Sequence, residues 1–440
     1  MKHFIINILK RLTKKILTKN NVQIIVITGN VGKTSARNNL VEFLSQYDTV
    51  GTNLDNYNSD IGVILSILKE KSPKKNPFSW LRIILKAWIM SISKQKNFPS
   101  IWVLELGIDF PKDMDFFVDN FLKFDVIIFG YVGKNPVHLG NFKNRDELIL
   151  EKSKILRGLK PDGLLIIDGD DSYLKKYYNN RSNVISYGFS DSVDLKASDF
   201  KIKLTIDNNK ETIEKFYSKI VPKGSFKISY KGSNIPFHVD YLLAEHQIYA
   251  LLSTIAFAIH TNINLVDISK QITSIKPLKG RLRIIEGIKD SLLMEDTYNS
   301  APKAMESAIK TLYDIKIPNI RRVAILGSMK ELGKDSDKIH KNIGKLLSQN
   351  VDLFIAVGEE IKPAFQEFNK LTKSKEKSIW VPNSNSILER ITDLITSNDL
   401  ILIKGSESSR MEKISAKLLL NQKFSKELLP RQSKDWLAKN

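Results

Sequence analysis

The sequence predicts an α/β protein whose main domain is a doubly wound, mostly parallel sheet, followed by a second α/β domain. Three observations predict it. Apolar runs of strand length, "VQIIVIT", "IWVLELG", "DVIIFGYV" and "GLLIIDGD", alternate with helical stretches, as strands buried on both faces do. A glycine-bracketed loop, Gly29 to Thr34, falls between the first of these runs and a helix. The alternation then restarts after a Pro- and Gly-marked segment, "SIKPLKGRLRIIEG" (274–287).

Bulk properties narrow the classes. The 440 residues suffice for two or three domains, and 42% hydrophobic content is a globular value. Without cysteine there is no disulfide framework, zinc–thiolate site or Cys nucleophile. A net charge of +20 is compatible with nucleic acid, anionic membrane or acidic small substrates. No RNA- or DNA-binding motif accompanies it, so no nucleic-acid partner is expected.

Residues 1–20 carry six basic and no acidic residues, with Ile5, Leu9, Leu12 and Ile16 at helical spacing: a basic amphipathic helix, too interrupted by charge for a secretory signal. From 21 to 275 runs the first domain. Within it, 70–98 holds a basic amphipathic insertion whose "PFSWLRIILKAWIMSISKQK" places Leu81, Ile84, Leu85, Trp88 and Ile92 on one face. That segment is too short and charged to span a bilayer, but both basic segments suit a flat position on an anionic surface. Residues 185–240 alternate apolar and polar like antiparallel strands, and "EHQIYALLSTIAFAIH" reads as a buried helix. Residues 276–440 form the second domain, with strand candidates "SLLMEDTYN", "RRVAILGSM", "DLFIAVGEE", "SIWVPN" and "LILIKGS". No internal repeat is present.

The loop Gly29, Asn30, Val31, Gly32, Lys33, Thr34, with Ser35 after it, suits a nucleotide phosphate. The glycines let backbone N–H groups wrap an anion, Lys33 neutralises phosphate charge, and the Thr34 hydroxyl reaches a Mg²⁺ ion. Glu105 ends an apolar strand, at the carboxyl edge of a parallel sheet where ligands gather, and is a hard ligand for Mg²⁺.

This two-residue version of the Walker loop, "TGNVGKTS", resembles that of the Mur ligase superfamily. Further matches follow in the family's order: "NYNSDIGV", "VLELGIDFPKDM", "VHLGNFKNRDELILEKSKI", "AEHQIYALLS", "PLKGRLRI" and "MEDTYNSAP". The segments "ILGSMKELGKDSDKIH" and "LIKGSESSRME" look like the branch that joins D-alanyl-D-alanine to a muramoyl-tripeptide, the MurF type. The resemblance implies a P-loop central ATPase domain and a Rossmann-like C-terminal domain. It implies an ATP-dependent amide ligase of peptidoglycan precursor synthesis, which activates a peptide carboxylate as an acyl phosphate. ATP and Mg²⁺ are the implied cofactors.

It also implies roles by residue. His138 would serve a second Mg²⁺, and Lys152 would carry a carbamate that ligates the metal, although Lys154 stands where a glutamate is usual. Gln247 replaces an adenine-contacting asparagine, and Arg281 offers a guanidinium to phosphate. Asp296, Tyr298 and Asn299 resemble the ribose and adenine side of the nucleotide site. Asn56, Asn58, Ser59, Lys404 and Ser406 fall at substrate positions, with Glu407 where the family commonly has an arginine. The site is expected to close when the domains approach.

The family normally begins with a UDP-sugar-binding domain, and the residues before Gly29 are too few to build one. The acceptor is then expected to bind differently, or to be presented on a lipid. The expected partner is a small sugar-peptide, for a cytoplasmic monomer open to peripheral contact with the inner face of the membrane. A folylpolyglutamate-like ligase and a non-catalytic ATP-binding scaffold are the rival readings.

Overall fold

Strand β1 (Gln23–Thr28) is "QIIVIT", β-branched and buried from Ile24 onward, because parallel strands flank it on both sides. A computed structural model describes residues 2–54, 57–73, 76–119, 121–133, 141–178, 181–206, 219–275, 278–374 and 376–438. By its internal contacts the chain forms two units: residues 1–198, 227–235 and 249–275, and residues 199–226, 236–248 and 276–440.

Around β1 stand β2 (Val50–Thr52), β3 (Ile101–Glu105), β4 (Phe124–Phe129), β5 (Leu159–Asp168) and β6 (Val184–Gly188), joined by parallel ladders. With β7 (Leu195–Ile206), β8 (Ile220–Tyr230) and β9 (Ser233–Asp240), the sheet runs β2-β3-β1-β4-β5-β6-β7-β8-β9. β8 and β9 are joined by Lys231 and Gly232, both with positive φ, the conformation of a tight antiparallel hairpin. The alternation expected over 185–240 therefore has its antiparallel pair there, whereas β6 and β7 run parallel over two residues.

Helices α1 (Lys2–Lys19), α2 (Lys33–Leu44), α3 (Asp60–Ile67), α4 (Pro77–Ile92), α5 (Asp113–Val118) and α6 (Arg145–Ser153) belong to the first unit. The apolar stripe of α1, including Leu9 and Ile16, is buried in the same core as Trp102, Phe124 and Leu165. α4 starts at Asn76, whose side chain accepts from the Ser79 N–H, with Pro77 in the first turn. It buries Ile83, Ala87 and Ser91 and leaves Leu81, Leu85, Trp88 and Ile92 exposed, with Ile84 packed against the core. α7 (Glu245–His260) is the expected apolar helix.

The second sheet is β10-β11-β15-β12-β13-β14, from β10 (Arg283–Glu286), β11 (Leu292–Asp296), β12 (Arg321–Gly327), β13 (Leu353–Val357), β14 (Ser378–Val381) and β15 (Asp399–Lys404). Only β10 is antiparallel to its neighbour. The segment read from its Pro and Gly as a linker thus contains a strand, its register set by Arg283 pairing with Glu295. Period-two alternation splits the core. Ala324, Leu326, Leu400 and Leu402 face a cluster with α8 (Pro302–Asp314), α9 (Ser336–Ser348) and α10 (Lys362–Thr372). Val323, Ile325, Ile401 and Ile403 face a cluster with α11 (Glu412–Leu418). α9 and α10 approach closely at Gly344, where a Cβ would lie 2.3 Å from the Ala364 carbonyl oxygen.

Candidate active site

The loop after β1 turns into α2 through two glycines that only glycine suits. Gly29 has φ 143°, and a Cβ there would lie 3.1 Å from the Gly130 carbonyl carbon. Gly32 has φ 81° and caps α2, accepting from the Ala36 N–H. Asn30 N–H donates to the Tyr131 carbonyl and its side chain to Val132, so Asn30 ties the loop to the end of β4. Asp171 holds that end in turn, accepting from the N–H groups of Val132 and Gly133 at 2.8 Å each. Lys33, Thr34 and Ser35 form the first turn of α2, which lacks acidic residues, so the positive end of the helix is left for an anion.

Beside it, Thr34 Oγ1 donates to Glu105 Oε2 at 3.0 Å. The other carboxylate oxygen accepts from Asn58 Nδ2 at 3.3 Å, and Arg37 lies 3.8 Å from Oε2. Glu105 is buried, and its main chain is clamped by Asn53, which accepts from Glu105 N–H and donates to its carbonyl. A hydroxyl and a buried carboxylate converging at the sheet's carboxyl edge make a hard oxygen pair that fits Mg²⁺. Ser59 starts α3 and is exposed.

Lys152 comes to the same loop from α6. It is 1% exposed, and its Nζ donates to the Gly29 carbonyl at 3.3 Å. Burial first, and then the charge of Lys33, push its ammonium down to about 7, against a smaller upward pull from Asp109. The side chain is therefore an amine for much of the neutral range, nucleophilic toward CO₂, and fits the implied carbamate. Lys154, the departure from pattern, pairs with Asp115 at 2.7 Å and Glu151 at 2.8 Å. Its own charge is thereby matched. His138 and Asn56 lie outside the described residues.

In the second unit, Asp296 at the end of β11 is buried and paired with Lys404 at 2.8 Å, at the end of the adjacent strand β15. Lys404 also donates to the Asn299 carbonyl at 3.0 Å. Two groups assigned separately in the sequence, one to the nucleotide and one to the substrate, are thus one ion pair. Arg281 lies over the Tyr298 ring at 4.3 Å, and its buried Nε has no hydrogen-bond partner among the described residues, a donor suited to phosphate. Burial and the cations Lys404, Arg281 and Lys303 hold His246 down at about 3, so its ring is neutral; Nδ1 meets the Ser307 hydroxyl at 2.8 Å.

The Gln247 amide oxygen accepts from the N–H groups of Leu243 and Ala244, and its nitrogen donates to the Arg281 carbonyl. It caps its own helix and fixes Arg281. Ser406 hydrogen-bonds among Ser408 and Ser409, while the half-buried Glu407 carboxylate has no hydrogen-bond or ion-pair partner among the described residues.

Sequence reasoning missed several positioning residues. Asn53 and Asp171 sit in Asn- and Asp-rich stretches where no spacing distinguishes one residue from another. Arg431 donates to the carbonyls of Tyr298 and Thr297 from more than a hundred residues away, and pairs with Glu412 at 2.9 Å. His340 accepts from Met329 N–H through Nε2 and meets the Ser336 carbonyl through Nδ1, pinning the turn after β12.

Two family models match: the Mur ligase middle domain over residues 88–258 and the Mur ligase glutamate ligase domain over 280–407. The UDP-N-acetylmuramoyl-tripeptide–D-alanyl-D-alanine ligase of Buchnera aphidicola subsp. Baizongia pistaciae is 25% identical over 93% of this chain and 78% of its own length. That of Haemophilus influenzae is 24% identical over 92% and 79%. Among solved structures, MurF ligase from Thermotoga maritima in complex with ADP aligns with a TM-score of 0.72 at 21% identity, covering 96% of this chain and 84% of that one. MurF from Acinetobacter baumannii aligns at 0.70 and 22%, covering 93% and 79%. Both domain models fall in order on the two units' main segments, and the chain belongs to the Mur ligase superfamily.

Proposed function

We propose that the protein is an ATP-dependent carboxylate–amine ligase of peptidoglycan precursor synthesis, joining a muramoyl-peptide carboxylate to a dipeptide of the D-alanyl-D-alanine kind. The observation that carries it is the convergence of Thr34, Glu105 and Lys152 on the glycine loop. ATP phosphates rest on the loop N–H groups and Lys33. Thr34 and Glu105 would hold a Mg²⁺ ion, which would supply charge neutralisation during phosphoryl transfer. The acceptor carboxylate attacks the γ-phosphorus and ADP leaves, giving an acyl phosphate. The incoming amine then adds to its carbonyl, loses a proton, and phosphate departs. Positioning and charge neutralisation contribute most of the rate in such a step. We assign Arg281, Asp296, Tyr298 and Asn299 to the nucleotide.

Among the described residues no helix is long and apolar enough to cross a membrane. The reading places the protein in the cytoplasm as a monomer acting on a small sugar-peptide.

The test is ADP and phosphate release from Mg²⁺-ATP, D-alanyl-D-alanine and UDP-muramoyl-tripeptide. Glu105→Gln keeps the shape and removes the charge, and is expected to lower kcat about a hundredfold. Release that needs no peptide acceptor, or a fully active Glu105→Gln, would overturn the assignment. Glu407 bears on the amine donor. Its unpaired carboxylate opposes a dipeptide carboxylate, so Glu407→Arg is expected to lower the KM for D-alanyl-D-alanine about tenfold. A KM that rises or stays fixed places the dipeptide's carboxylate elsewhere.

A further inference from the structure

α1 and α4 pack side by side on one core, yet their outer faces differ. At about 100° per residue, the outer face of α4 gathers Phe78, Leu81, Leu85, Trp88, Ile89 and Ile92. Each is at least half exposed, and Phe78 reaches 82%. The buried face of the same helix, Ile83, Ala87 and Ser91, is opposite. So the stripe is not the packing side of an ordinary amphipathic helix. It is a second apolar face, turned to solvent, on a helix already anchored by the first.

The surroundings of this stripe are cationic. Arg82 and Lys86 border it at the next helical positions, and Lys94 and Lys96 follow the helix end, both exposed. The only acidic residue of 69–98 is Glu70, and its carboxylate is consumed by Arg82 at 2.6 Å and Lys86 at 2.7 Å. The outer face of the neighbouring α1 presents Arg11, Lys14, Lys15 and Lys19, in a segment without acidic residues. Lys19 reaches the Ile92 carbonyl, joining the cationic helix to the C-terminal end of the apolar one.

We propose that α4 lies in the interface of an anionic bilayer, with its outer stripe among the acyl-chain boundary and the α1 lysines on the lipid headgroups. An apolar row with aromatic members beside a lysine-rich row free of uncompensated carboxylates matches a diffuse anionic surface. A protein partner would need its own discrete acidic groups set opposite these lysines. The 16 residues of α4 span about 24 Å, enough for a flat helix but not for a crossing one with these charges. The inference does not depend on the reaction. It would place the ligase at the membrane surface.

The experiment is co-sedimentation of the full chain with vesicles of one-third phosphatidylglycerol in phosphatidylcholine, against vesicles of phosphatidylcholine alone. Binding is expected only to the anionic vesicles. The substitution Leu81→Ser with Trp88→Ser, on exposed positions that leave the core intact, is expected to weaken it about tenfold or more, while ATP binding stays unchanged. Lys14→Glu with Lys15→Glu is expected to weaken it similarly. Failure of the wild-type chain to sediment overturns the proposal. So does full binding by the Leu81/Trp88 variant, which would assign attraction to net charge alone. A dimer in light scattering that this variant turns into a monomer would also overturn it, assigning the stripe to a second copy.

Discussion

Lys152→Met is expected to lower ligase turnover about a thousandfold while making the folded chain more stable at neutral pH. Both effects follow from one side chain. Lys152 is fully enclosed, donates among the described residues only to the Gly29 carbonyl, and sits near Lys33, so its ammonium is disfavoured and falls to about 7. Between that value and 10.5 the unfolded chain holds a proton that the folded one lacks. Stability therefore rises with pH across this window, by about 1.4 kcal/mol per unit at its centre, and is flat below it, where both states are protonated. Methionine has no proton to lose, so the slope disappears.

The same depressed ammonium prepares the amine for chemistry. In the proposed site a neutral Nζ would add to CO₂, forming an N–C bond and releasing one proton, and the neutral amine beside the glycine loop would become an anion able to hold Mg²⁺. Isotopically labelled bicarbonate is expected to give a protein-bound carbamate resonance at pH 8, absent in Lys152→Met. Dialysis free of CO₂ at pH 6 should depress turnover until bicarbonate is restored. A wild-type enzyme without that resonance, or a Lys152→Met variant within about tenfold of wild-type turnover, would sink the carbamate. It would leave Lys152 as a buried prop for the loop.

Much of this was legible before the structure because it is local. The strand–glycine–lysine–threonine order places Gly29, Gly32, Lys33 and Thr34 without tertiary information, and Glu105 is located by ending an apolar run. What the sequence hides is convergence. Nothing in "TNLDNYN" says that Asn53 clamps the main chain of Glu105, and nothing near Tyr298 announces Arg431. Amphipathic segments were ambiguous for a different reason. Periodicity locates an apolar stripe but not the side from which it is covered. In α1 the stripe is core; in α4 the packing face is the sparser one, Ile83 and Ala87, and most of the conspicuous stripe is bare. The linker segment was drawn too wide for a similar reason, although the two units do divide at residues 275 and 276 within it. Lys279 and Gly280 do form a turn, but the chain enters a strand within three residues, because antiparallel pairing with β11 needs no crossover.

Lys404→Met is expected to cost about 3–5 kcal/mol of folding stability, the largest loss for any single substitution in the second unit's site. It strands the Asp296 carboxylate, already pushed upward by burial and held down chiefly by Lys404, and leaves the Asn299 carbonyl without its donor. Asp296→Leu alone strands the ammonium instead. Together the two substitutions remove both charges from a site 2–4% exposed, and the double variant is expected within about 1 kcal/mol of wild type, since a buried ion pair adds little over apolar residues of similar volume. Activity should part company with stability at this point. If Asp296 orders the nucleotide and Lys404 its anionic surroundings, the double variant folds and fails, with KM for ATP raised at least tenfold. His246 reports the same change independently: losing the Lys404 charge moves its imidazole upward from about 3, an effect visible by NMR. A double variant that both folds and turns over normally would reduce the pair to a device for holding the ends of β11 and β15 together.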